Sequence, residues 1–432
     1  MHVPRAPLPA SAYVVDVTFT ALHRALGLPP GPLTNEILDE AVAAGVVETD
    51  DLDWKSELPP VNNLSQTDVP KDIAAMANSG GGLLVYGVEE EQKVATERSD
   101  TGEFTENHER TYRKVAVTAI TPPVFGLQVH RLGSNPRAVA VIVPASVDGP
   151  HLIYRNDYFG APRRNNADTD WMKEREIEAA YRARFDEQRR STEVLNSLYT
   201  ETTQGRDTDE RAWLIAVAHP RIPGVLARPT RDDARNIFEE AGKAALSYSR
   251  RNATHPLENI DPRNARSGLK RWTAPPISMH KSSYWKQAWA SVHHDGSATL
   301  AAAVGAHPIG PSSQFEGREV FARDIEAAVA DFTGLIRAAS QALGHSEYEV
   351  SVGIEWTGSH SLMILTVDDS GQPYDGVSTP LGRYTRVQLT MDAAVAEGAF
   401  RRQLYELAEY CINQGGITYL HEISIPSDSG EY

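Results

Sequence analysis

"DDLDWKSEL", residues 50–58, is the stretch on which the reading of this sequence turns. Asp51, Asp53, Lys55 and Glu57 alternate with Leu52 and Trp54, and Leu58 closes the run. A period of two is the pattern of a half-buried strand, with one set of side chains in the core and the other facing out. Leu52 and Trp54 are the core set. The acidic face with its single lysine is either solvated or the wall of a site that holds a metal through carboxylates.

The bulk of the chain sets the frame for that choice. Its 432 residues suggest two or three domains. With 41% apolar and 23% charged residues it reads as packed rather than disordered. No run approaches the roughly 18 apolar residues of a membrane span. The opening "MHVPRAPLPASAYVV" lacks the apolar centre of a signal peptide. Cys411 is the only cysteine, which excludes a disulfide framework and a cysteine-built zinc site within one chain. These features together give the expectation of a cytoplasmic protein.

The net charge of −16 works against a nucleic-acid backbone. Its distribution is uneven, however. Arg155, Arg163, Arg164, Lys173, Arg175, Arg182, Arg184, Arg189 and Arg190 crowd one stretch. Those in 173–190 can pair with Glu174, Glu176 and Glu178 along a helix. Arg163 and Arg164 are left as candidates for phosphate contact.

Before the opening stretch, "VTFTALHRALG" reads as helical, and Thr34 caps a helix over "NEILDEAVAAG" that Gly45 stops. "DVPKDIAAMANSGGG" reads as a short helix capped by Asp68, with Ile73, Met76 and Ala77 on one apolar face. "LLVYGV" is then a buried strand. Residues 108–118 read as a helix, "VFGLQVHRL" and "RAVAVIVPAS" as a hairpin, and "PHLIYRNDYFGAPRRNN" as two short strands around Asn156–Asp157. "DTDWMKEREIEAAYRARF" is expected to be helical, with Asp168 or Thr169 as its cap. The polar run 191–208 is expected to be a linker. Beyond it, 209–432 reads as an α+β domain with helices at 230–249, 318–343 and 393–413, several strands, and a long loop over 250–285.

The glycines of "NSGGGLLVYG" do not make a phosphate loop. Such a loop follows a strand and opens a helix, whereas here helix, glycines and strand come in the reverse order. GxxxxGK[ST] is absent from the chain, so no ATP site of the Walker type is expected. GxSxG, HExxH and the kinase motifs are absent too. His280, His293 and His294 lie in an Asn- and Ser-rich region and offer little support for a zinc site.

Three pieces in order, Glu48-x4-Asp53-Trp54-Lys55, "KDIAAMANSGGGLLVYGVEE" and "PHLIYRNDYFGAPRRNN", resemble the Schlafen-type AlbA_2 domain over about 45–186. The family shows Glu, four residues, then Glu-Phe-Lys. A helix ending Ala-Phe-Ala-Asn, a Gly-Gly pair, a strand ending Ile-Gly-Val-Asp-Asp and a Pro-His segment follow. The resemblance implies a mixed-sheet α+β module over 45–190, after an N-terminal helical segment, 1–44. It also implies a nucleic-acid partner, RNA rather than DNA. Nuclease members of the family cut structured RNA, tRNA among them, with a divalent metal. By motif, that activity would fall on Glu48, Asp53 and Glu89, with Glu90 as the alternative third acid, holding Mg²⁺ or Mn²⁺. Lys55 would neutralise developing charge beside them. Asp53 stands where the family has Glu, and Glu89 where it has Asp.

Other members imply a non-catalytic DNA- or RNA-binding regulator or sensor instead. Arg163, Arg164, Asn165 and Lys71 are the candidate nucleic-acid contacts, with Tyr154, Tyr158 or Phe159 stacking on unpaired bases. Animal members pair two such lobes in one chain. A homodimer, or a diverged second lobe in 209–432, would match that arrangement.

Overall fold

The computed structural model describes residues 18–155, 158–222, 228–310, 313–357, 360–367 and 373–424. It has an α+β fold and divides into two compact units, Met1–Tyr181 and Arg182–Tyr432.

In the first unit, α1 (Ala21–Ala25) and α2 (Asn35–Ala43) precede β1 (Leu52–Lys55). There follow α3 (Val69–Ala77), β2 (Gly82–Tyr86), β3 (Val88–Glu91), β4 (Val94–Arg98) and α4 (Glu106–Thr118). Then come β5 (Ile120–Thr121), β6 (Gln128–Leu132), β7 (Ala138–Val143), β8 (Leu152–Arg155), β9 (Tyr158–Gly160), β10 (Pro162–Asn165) and β11 (Asp168–Trp171). The main sheet has four strands in the order β1-β2-β7-β6. β1 and β2 are parallel, joined by the crossover helix α3, and the other pairs are antiparallel.

The alternation along β1 sorts its side chains between two cores. Leu52 and Trp54 join Leu22, Leu38 and Ala41 of the N-terminal helices on one face. The opposite face carries Ile73 and Met76 of α3 and Tyr112 and Val115 of α4, packed on Leu84, Tyr86 and Val141. Asp53 and Lys55 project to the second face, under α3, so the acidic face of the strand is not a solvated one: Asp53 is 3% exposed.

Thr34 caps α2 through the Ile37 amide. The glycines after α3 also do what their order implies: Gly80 and Gly81 turn the chain with positive φ of 95° and 87°. At Gly81 a Cβ would stand 2.6 Å from the Ala145 nitrogen. Strain and overlap coincide there, so Gly81→Ala is expected to destabilise the unit by about 2–4 kcal/mol. An unchanged urea midpoint would refute this.

Two expectations are corrected in this region. Residues 168–171 are strand β11, not the start of the long helix. Asn166 takes a left-handed φ of 55°, which turns the chain back so that Arg163 pairs with Asp170 and Asn165 with Asp168. Helix α5 (Glu174–Thr203) starts later and takes in 191–203, most of the expected 191–208 linker. Leu195, Leu198 and Tyr199 recur at helical spacing and are buried against Trp213, Ile215 and Val217, so polar composition there does not break the helix.

In the second unit the strands are β12 (Trp213–Pro220), β13 (Arg266–Gly268), β14 (Arg271–Ala274), β15 (Ala288–His293), β16 (Ala298–Ala303), β17 (Pro308–Gly310), β18 (Ser313–Gln314), β19 (Glu319–Phe321), β20 (Glu347–Glu355), β21 (Met363–Val367), β22 (Pro373–Tyr374) and β23 (Val387–Asp392). The helices are α6 (Arg231–Tyr248), α7 (Ala322–Leu343) and α8 (Glu397–Asn413). Seven antiparallel strands form the sheet β13-β14-β15-β16-β12-β20-β23. The three helices contribute Phe238, Phe332, Leu335 and Phe400 to the largest core, together with Leu214, Leu300 and Val350 of that sheet. The 250–285 stretch is not wholly loop: it contains β13 and β14, which pair as a hairpin. No helix among the described residues is long and apolar enough to cross a membrane.

Candidate nucleic-acid interface and the buried ion cluster

Glu48 and Asp53 do come close, but as members of an ion-pair network. Asp53 accepts a hydrogen bond from Arg164 Nη1 at 2.9 Å through Oδ1. Its Oδ2 lies 2.7 Å from Lys55 Nζ. Glu48 Oε1 accepts from the Trp54 backbone amide at 2.8 Å, and its Oε2 lies 3.7 Å from Lys93 Nζ. Lys93 also reaches Asp168 Oδ1 at 2.8 Å. Burial pushes the Glu48 carboxyl above its ordinary range, and the Asp53 charge adds to that, while the Trp54 amide opposes it.

Arg164 is the centre of this arrangement. Its side chain is 3% exposed, so it faces inward rather than toward a phosphate. Its second nitrogen, Nη2, donates to the Thr49 carbonyl at 3.3 Å, and its backbone amide donates to Ser79 Oγ at 2.8 Å. The other proposed contacts are also engaged. Arg163 pairs with Glu176 at 2.8 Å, Lys71 with Asp68 at 3.1 Å, and Asn165 donates to Asp170 at 2.7 Å.

Glu89 and Glu90 are exposed on the β3–β4 hairpin. Glu90 accepts from the Lys93 amide in the hairpin turn. Among the described residues, no group of three or more His, Cys, Asp or Glu side chains is placed to hold a metal ion. The donors present do not fit a divalent cation: both Asp53 oxygens face cations, and one Glu48 oxygen is taken by a backbone amide.

A further carboxylate beside Asp53 is Asp72, on α3. It lies 3.8 Å from Lys55 and 3.9 Å from Lys71. Burial raises its pKa from 3.8 to about 6, against the pull of Lys55. Lys55 keeps a raised pKa despite its own burial because Asp53 and Asp72 flank it. Asp72 lies one turn before Met76 on α3, and both are buried.

Asp72 carries a consequence for stability. Between pH 3.8 and about 6 the carboxyl is protonated in the fold and ionised in the unfolded chain. The unfolded chain therefore binds fewer protons, and stability falls as pH rises through that window, then levels off. Asp72→Asn is expected to gain on the order of 1–3 kcal/mol over wild type above pH 6, and little near pH 4. Urea melts of both proteins across this range check the prediction. A pH-independent difference would refute it.

The surface beside this cluster is aromatic. Tyr154 on β8 is 62% exposed and Phe159 on β9 is 58% exposed. Their ring centroids are 5.9 Å apart, tilted by 46°. Trp171 on β11, 45% exposed, lies over Gly160, where a Cβ would come within 2.6 Å of the indole. None of these three rings is in the core, and the side chain of Tyr158 lies outside the described residues. The end of α3 anchors the hairpin beneath them. Asn78 Nδ2 donates to the carbonyls of His151 at 2.9 Å and Pro162 at 2.8 Å, and Asn78 Oδ1 accepts from the His151 amide at 2.7 Å.

Comparison with known proteins bears on the same stretch. Residues 48–172 match the family described as Schlafen, AlbA_2. No curated protein matches the chain. Among solved structures, the chain is similar to the N-terminal domain of a RecG-related protein from Nitrosomonas europaea, at 16% identity and a TM-score of 0.24, over 32% of this chain and 90% of that one. It is also similar to the DIP2311 protein from Corynebacterium diphtheriae, at 15% identity and a TM-score of 0.23, over 48% of this chain and 37% of that one.

Proposed function

We propose that residues 48–172 form a module that binds unpaired nucleic acid, RNA in preference to DNA, without cleaving it. The observation that carries this reading is the pair of exposed rings, Tyr154 and Phe159, on a hairpin anchored at its base by Asn78. Exposed aromatic faces on a strand surface are stacking platforms for bases, and stacking tolerates any sequence because every base has a π face. Arg163, on the adjoining strand and 39% exposed, exchanges Glu176 for a phosphate when the strand binds. The match of this stretch to the Schlafen AlbA_2 family supports a nucleic-acid role.

The buried cluster has a structural part in this proposal. Asp53, Arg164, Lys55 and Glu48 tie β1, β10 and the 48–49 turn together under the hairpin. The hydrolytic alternative assigns Glu48, Asp53 and Glu89 to a divalent metal with Lys55 beside it. Its support is the closeness of Lys55 to Asp53, and it requires Glu48 and Asp53 to exchange their present partners.

Fluorescence anisotropy with a labelled 12-nucleotide uridine-rich RNA, its DNA counterpart and a duplex decides between the two readings. The same RNA is followed on a gel with EDTA or Mn²⁺. The binding reading expects tighter binding to the single strands than to the duplex, tighter binding to the RNA than to its DNA counterpart, an affinity unchanged by EDTA, and an intact RNA. Absence of binding to all three probes refutes it. Mn²⁺-dependent cleavage that Glu48→Gln abolishes establishes the hydrolytic reading instead.

A further inference from the structure

A second constellation lies in the other unit, away from any sequence motif. Ser249 ends α6, half-buried, with its Oγ 3.1 Å from His255 Nε2. His255 Nδ1 lies 2.6 Å from Asp331 Oδ1, on α7. The other Asp331 oxygen accepts the Leu257 amide at 2.6 Å, so the carboxylate is fixed at both oxygens. His255 is 2% exposed and Asp331 1%. Ser249 Oγ makes one further, longer contact, 3.4 Å to the Ala245 carbonyl.

We propose that Ser249, His255 and Asp331 form a nucleophilic acyl-transfer site that acts on activated carboxylic esters. The order hydroxyl, imidazole, carboxylate, each within hydrogen-bond reach of the next, is the arrangement by which serine becomes a nucleophile, and it is recognised by geometry rather than by chain position. Asp331 is a positioning residue: it holds the tautomer with the proton on Nδ1, leaving Nε2 to accept. Burial on its own would lower the His255 pKa, but the Asp331 hydrogen bond and charge outweigh it and hold the imidazole above its ordinary value, so it is a good base. The side chains of Arg250 and Arg251, exposed just after the nucleophile, favour an ester that carries a negative charge.

The Ser249 Oγ bonds to the carbonyl carbon as its proton passes to His255 Nε2. The C–O bond to the leaving group breaks, and His255 returns the proton to the departing alkoxide, releasing an alcohol. Water then gives its proton to His255 and attacks the acyl-serine. A carboxylic acid leaves, and the proton restores the Ser249 hydroxyl.

A fluorophosphonate probe, which captures activated serines with loss of fluoride, tests the proposal on the full chain. Tandem mass spectrometry compares Ser249 with Ser247 in the same digest. Ser247 is exposed two residues away and hydrogen-bonds the Ala244 carbonyl rather than an imidazole, so it is an internal control. Labelling at Ser249 is expected to exceed that at Ser247 by at least about a hundredfold, the usual contribution of a positioned base. It is expected to vanish in Ser249→Ala and to fall by a similar factor in His255→Gln. Asp331→Asn is expected to lose the reactivity and Asp331→Glu to recover part of it. Equal labelling of the two serines, or none in the wild type, overturns the proposal and leaves the three residues as a staple between α7 and the loop after α6. This comparison needs only the wild-type chain, so it stands even if a variant fails to fold. It is also independent of nucleic-acid binding by the first unit.

Discussion

Arg164→Ala is expected to destabilise the first unit by about 3–5 kcal/mol, because truncating one partner of a buried ion pair leaves the other charge uncompensated. Asp53, 3% exposed, would keep only Lys55, and the Thr49 carbonyl would lose a donor. For a unit of this size the loss is a fall of about 10 °C in melting temperature. Arg163→Ala is the control. Its side chain is 39% exposed and its partner Glu176 is 34% exposed, so its removal is expected to change stability by no more than about 0.5 kcal/mol. Arg164→Lys is expected to fall between, since an ammonium cannot span Asp53 and Thr49 as the forked guanidinium does. Equal melting temperatures for Arg164→Ala and Arg163→Ala would refute the account of the cluster.

Removing both rings from the hairpin is expected to weaken binding of a single-stranded RNA by on the order of a hundredfold or more. Each stacked base is worth about 1–3 kcal/mol, so Tyr154→Ala and Phe159→Ala alone should each cost about 5- to 150-fold in affinity. Tyr154→Phe keeps the ring and should bind as the wild type does. Because both side chains are more than half exposed, none of these variants should alter the melting temperature appreciably. Anisotropy titrations at one fixed salt concentration provide the comparison. Unchanged affinity in the double variant would move the interface elsewhere.

The elements of the first unit that carry a local signal are legible in the sequence. The period-two run of 50–58, the cap at Thr34 and the glycines after Asn78 all behave as their chemistry requires. The fate of Asp53 was not legible. Alternation says that Asp53 and Leu52 face opposite sides, but not that α3 and β10 cover the polar side as well. Arg164, read as a phosphate contact, is spent on Asp53, more than a hundred positions earlier in the chain. Strand β11 reads as helix in the sequence because "DTDW" resembles a helix cap. The cross-strand pairing that overrides it depends on a left-handed Asn166 that composition does not reveal. The Ser249–His255–Asp331 constellation leaves no linear trace either, since its acid comes from a helix 76 residues beyond the imidazole.

The two residues that close α3 have a reach out of proportion to their size. Asn78 binds His151, just before β8, and Pro162, at the start of β10, and Ser79 holds the strand that delivers Arg164. An event on the outer face and a charge balance in the interior thus share one mechanical joint. Whatever part of a ligand's effect on the hairpin is coupled through this joint to the interior acts equally in the other direction, because the coupling of two linked equilibria is reciprocal.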